Sequence, residues 1–150
     1  MKPVILVLLA LSSLLEAGGN GSRVLYVGGT VAGISMKSGA RIEFRGDDAF
    51  SLTTKDKAVR IPFADVTVIE YGMRVSRRYV EAILISPVLL VAKKRTHYLT
   101  IEYADEQGQQ QAMVLQVGKE EIRTLLVSLE ARTGRRVEYQ DEEARKAGKG

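Results

Sequence analysis

The sequence predicts a mainly β fold: seven antiparallel strands curled into a barrel, with one C-terminal amphipathic α-helix capping it. Three observations carry this. From Gly39 onward, short segments alternate apolar and polar residues between turn signals, as half-buried strands do. After Gly118 the apolar spacing changes from two residues to that of a helix. The apolar block before Asn20 follows neither pattern and reads as a separate leader.

The leader has Lys2 as its basic start, a nearly unbroken apolar run over residues 3–15, and the small or polar residues Ala17, Gly18, Gly19 and Asn20. That order is the layout of a secretory signal peptide spanning 1–19, with Ala17 and Gly19 at the −3 and −1 positions. Cleavage after Ala17 is the alternative. The run falls short of the ~20 residues that span a bilayer comfortably. No Cys follows it, so no lipoprotein anchor is expected. The mature chain is expected outside the cytoplasm, periplasmic or secreted.

Residues 20–38 form a glycine-loosened lead-in, in which 23–27 are either a strand or an extended approach. The domain proper is expected over 39–139. Ile42 and Phe44 define the first inner face, and Phe50 and Leu52 the second, across a turn at Gly46-Asp47-Asp48. Val59, Ile61 and Phe63 define the third. Pro62 cannot donate to a ladder, which places this strand at an edge. Residues 66–71 are the fourth, with Val68 inward. Residues 79–85 are the fifth, apolar on both faces, with Ile83 and Ile85 in the core. Leu99 and Ile101 mark the sixth, and Met113 and Leu115 the seventh, across a hairpin at Asp105 to Gly108. A helix over 119–133 then places Ile122, Leu125 and Leu129 on one stripe. Glu120 and Glu121 lie in its first turn, Arg132 in its last, and Gly134 caps it. A helix of this length is marginal alone in water, so its stripe must pack on the sheet. Residues 140–150 are charged, lack bulky apolar side chains and are expected to fray.

Residues 60–71 (RIPFADVTVIEY) resemble the I-P-[YF]-x-x-I-x-x-[IL]-E run of bacterial pleckstrin-homology-like (PH-like) and GRAM-like domains. Residues 97–103 (HYLTIEY), the glycine hairpin and the final helix resemble them too, so the likeness covers about 39–134. The resemblance implies a barrel whose helix plugs one open end. It does not select among lipid binding, peptide binding and scaffolding.

Composition excludes several function classes. Without Cys there are no disulfides, thiol nucleophiles or thiolate metal sites. The formal net charge of +4 favours anionic surfaces in general. Acids interleave with the bases along most of the chain, which argues against nucleic acid. Gly28, Gly29 and Gly33 do not form a dinucleotide fingerprint, and no phosphate-binding loop is present. No cofactor, metal site or catalytic residue is therefore expected. His97 has no second His and no acid at ligand spacing, so a structural or solvent-exposed His is expected rather than a catalytic one. Glu43, Glu70, Glu81 and Glu102 are expected on a solvated face. Lys37, Arg41 and Arg45 lack the R-x-R ending of a phosphoinositide site, and Asp47 and Asp48 oppose an anion there.

The segment 74–95 is the candidate contact region. Arg74, Arg77 and Arg78 stand at one end and Lys93, Lys94 and Arg95 at the other, around an apolar stretch containing Val88, Leu89 and Leu90. Ser86-Pro87 suits a helix start. Two functional readings apply: contact with a protein partner, or insertion into an anionic membrane surface. The plain alternative is a loop folded back over the barrel mouth. The expectation is a non-enzymatic exported binding module, acting on a protein of the cell envelope, with anionic lipid as the alternative.

Overall fold

The computed structural model describes residues 21–83 and 95–150. The leader 1–19, Ile85, the Ser86-Pro87 turn, Val88, Leu89, Leu90, Lys93 and Lys94 lie outside the described residues, as does the side chain of Ile83. The elements are β1 (Gly21–Gly29), β2 (Ser38–Phe44), β3 (Ala49–Thr54), β4 (Ala58–Pro62), a 3₁₀ turn (Phe63–Asp65), β5 (Val66–Gly72), α1 (Arg77–Ile83), β6 (His97–Ala104), β7 (Gln110–Val117), α2 (Lys119–Thr133), β8 (Glu138–Tyr139) and α3 (Glu142–Lys149).

The fold is mainly β, but hydrogen bonds do not close a barrel. One eight-stranded sheet runs in the order β4-β3-β2-β1-β7-β6-β5-β8, with ends at β4 and β8. Two features keep the ends apart. Pro62 terminates β4 without an N–H, and the 3₁₀ turn then lifts the chain away. The free edge of β5 is taken by β8, in parallel register through Glu70↔Glu138 and Tyr71↔Tyr139.

The lead-in proves to be the centre of the sheet. β1 pairs antiparallel with β2 on one side and β7 on the other, with a register shift between Tyr26 and Gly28. A Cβ at Gly29 would stand 2.4 Å from the Ala112 carbonyl oxygen, so only glycine allows this approach. The expected fifth strand is the helix α1. Within it Tyr79 and Val80 are buried side by side between exposed pairs, Arg77-Arg78 and Glu81-Ala82, which a helix satisfies and a strand does not.

The inner face of the sheet forms one core. Ile42, Phe50, Leu52 and Ile61 from β2–β4 join Ile69, Tyr71, Leu99, Ile101, Met113 and Leu115 from β5–β7 around α2. Both halves therefore curl toward the same helix, whose Ile122, Leu125, Leu126 and Leu129 are buried. Each such side chain contributes roughly 1.5–3 kcal/mol on removal from water. Gly134 ends the helix in the left-handed conformation at φ 70°.

Phe44 and Val59 are only partly buried against this core. Val68 is displaced from it, because a bulge between Val66 and Val68 shifts the phase of β5 and brings Ile69 and Tyr71 inward. Residues 140–150 do not fray: Asp141 accepts the Ala144 amide at 2.8 Å, and α3 runs on with Ala144 and Gly148 buried.

Candidate functional site

The centre of the sheet is covered on both faces. α2 fills the inner one. On the outer one, Val75, Tyr79 and Val80 pack with Val27, Tyr98 and Val114 in a second apolar cluster. This holds α1 across β1, β7 and β6.

A polar cluster finishes the docking. The Tyr79 hydroxyl donates to Glu102 Oε1 at 2.5 Å and accepts from Arg78 Nη2 at 2.5 Å. Arg78 Nη2 also donates to Glu70 Oε2 at 2.8 Å and lies 3.8 Å from Glu102 and 3.9 Å from Glu138. Its guanidinium sits 4.5 Å above the Tyr79 ring. Gln140 Nε2 donates to Glu70 Oε1 and to the Arg74 carbonyl. Glu70 is only 8% exposed, so it needs these partners. Burial, the bond to Glu102 and the Glu70 charge together push the Tyr79 hydroxyl well above its ordinary pKa. Burial opposes the charge on Arg78, but Tyr79, Glu70 and Glu102 outweigh it and hold the guanidinium charged.

The sequence-predicted contact residues are thus unequal. Arg78 is committed to three carboxylates and a tyrosine. Arg74 and Arg77 are exposed and line a cleft of about 520 Å³ with Glu70, Val75, Ser76, Gln140 and Asp141. Arg95 is exposed as well, but lies 3.1 Å from Glu143 of α3. Val88, Leu89, Leu90, Lys93 and Lys94 are not among the described residues. Glu70 and Glu102 do face outward from the sheet, yet α1 covers them, so their expected solvation fails. The adjacent apolar pair Tyr79-Val80, flanked by Arg77-Arg78 and by Glu81, carried the signal for this helix.

His97 stands at the rim of a separate cleft of about 1000 Å³ that includes Lys119, Glu120, Arg123 and Thr124. Its Nδ1 is 2.6 Å from the Tyr71 hydroxyl, and the two rings stack at 5.9 Å with 11° between planes. Burial, with Tyr139 adding, pushes the Tyr71 phenol up to about 12, so it remains protonated and donates. Burial, reinforced by Lys119, lowers the His97 pKa, so the ring accepts at Nδ1 and carries its proton on Nε2. Among the described residues, no cluster of three His, Asp or Glu side chains is placed to hold a metal, and no helix is long and apolar enough to cross a membrane.

The class this geometry defines is a mainly β domain with its interior filled by a C-terminal helix and a short basic helix docked outside. No protein-family model matches the chain, and no curated protein matches it in sequence.

Proposed function

We propose that this protein is a non-enzymatic, exported, PH-like binding module that contacts a protein partner of the cell envelope through the surface around 74–95. The strand order, with α2 following directly on the last long strand, supports the PH-like reading. The leader composition supports export. The core is packed with side chains, so a partner meets the outside of the sheet rather than a cavity within it.

One observation carries the reading. The Arg78–Tyr79–Glu70–Glu102 cluster fixes α1, so exposed Arg77 projects from a rigid element, and exposed Arg74 from the loop leading into it, beside a cleft of mixed charge. A protein surface of mixed charge complements that cleft better than a uniform anionic membrane does. Two of the bases that would attract lipid already have a carboxylate beside them, Glu70 at Arg78 and Glu143 at Arg95.

Cross-linked capture from the envelope fraction tests this. Arg74→Glu with Arg77→Glu should reduce the captured partner about tenfold, with sedimentation on anionic liposomes negligible for both forms. Capture that is indifferent to both charges, or liposome binding abolished by them, contradicts the reading.

A further inference from the structure

The outer face of β1, β2 and β3 carries charges that the fold does not require. Register sets Arg23 of β1 directly opposite Arg41 of β2, and Arg41 opposite Thr53 of β3. Like charges facing one another across strands weaken a sheet. Among the described residues, no carboxylate lies within ion-pairing distance of Arg23, Arg41 or Lys55. Arg45, by contrast, has Glu43 at 3.3 Å. Gly39 faces Leu25 in the same sheet, and nothing lies within 4 Å of where its Cβ would stand. The face is therefore dished at Gly39, in a depression of about 790 Å³ rimmed by Arg23, Arg41, Thr53 and Lys55.

We propose that this face docks an acidic, extended segment of a protein partner, laid over β1–β3. Three uncompensated cations around a glycine dent supply the charge complementarity, and arginine forks grip carboxylates in pairs. Side chains two apart on an extended segment repeat every ~7 Å, as do rows of the sheet, so alternate acids meet successive rows. Glu43 lies within the depression and repels a continuous anionic layer. Residues between the acids point away from the sheet, so the segment must place its acids at the Arg23–Arg41 row and at Lys55 and a neutral residue of the same face over Glu43. The surface is separate from 74–95 and stands without the function proposed there.

The probe is a synthetic peptide of alternating Ser and Glu, titrated into the ¹⁵N-labelled protein at low salt, with inorganic phosphate and phosphatidylglycerol vesicles as parallel arms. Amide shifts should map to residues 23, 25, 39, 41, 53 and 55. Arg23→Glu turns the repelling pair into an attracting one, so it should hold or raise the melting temperature while weakening peptide binding about tenfold. Gly39→Val, for which the backbone leaves room, should weaken binding by filling the dent. Arg74→Glu with Arg77→Glu should leave it unchanged. Shifts elsewhere, or unaltered affinity in Arg23→Glu, overturn the proposal. So does tighter binding of phosphate or vesicles at the same residues, which would assign the face to phosphate chemistry.

Discussion

Tyr71 and His97 show how single side chains in this fold are held in one protonation state. The phenol donates, the imidazole accepts, and both are shielded enough to disfavour their charged forms. Because the folded pKa of His97 lies below its ordinary value near 6.5, the unfolded chain binds the proton more readily. The stability this pair contributes is complete above that value and is lost as pH falls toward the folded pKa. Denaturant melts should therefore show stability falling from pH 7 to 5. His97→Gln, which removes the only histidine, should flatten that interval. Asp105 and Glu142, both held below the usual carboxylate range by hydrogen bonds, titrate lower and do not overlap with it. An equally sloped profile in the variant would show that the pair is not protonation-sensitive. Single residues were legible where alternation is regular, as at Ile42, Leu52, Leu99 and Met113. They were misread at Val68, because one bulge reverses the phase of everything after it. The solvated reading of Glu70 and Glu102 failed because nothing local reveals what covers a strand's outer face.

At the scale of elements, the strands, the hairpin and α2 follow from periodicity and turn residues, and α2 occupies the expected 119–133. Two elements did not follow. α1 sits in a stretch apolar enough to read as a buried strand, and only the adjacent buried pair Tyr79-Val80 between polar neighbours marks it as helical. α3 lacks bulky apolar residues because it packs by close approach. Its stripe is Ala144, Ala147 and Gly148, and a Cβ at Gly148 would come 2.6 Å from the Tyr139 ring. Its end signals were nonetheless present, with Asp141 as N-cap, Glu142 and Glu143 in the first turn, and Lys146 and Lys149 in the last. Gly148→Ala separates a docked helix from a detached one. In a detached helix the change adds ~1 kcal/mol of helix stability. Here it should instead lower hydrogen-exchange protection across 142–149, with the sheet amides unaffected. A rise in that protection would mean that α3 does not pack on Tyr71, Tyr139 and Leu126.

For the molecule as a whole, a sheet with distant edges is made into one body by helices on both faces. α2 joins side chains from both halves of the sheet into a single cluster, while α1 covers the middle of the reverse side. The contact surface proposed around 74–95 and the basic face of β1–β3 both depend on that rigidity. Each is an outer surface of a sheet whose inner surface is fully occupied. The fold class was legible because burial imposes a period on the sequence. The candidate site was only partly legible, because its fixed geometry comes from Arg78 and Tyr79 meeting Glu70 and Glu102 across the fold. The most direct measurement is the denaturant-unfolding free energy of Leu125→Ala, a residue 1% exposed at the junction of the two halves. A loss of about 2–5 kcal/mol is predicted if α2 fills the core. A change near zero would show that the sheet stands without the helix and would contradict the account.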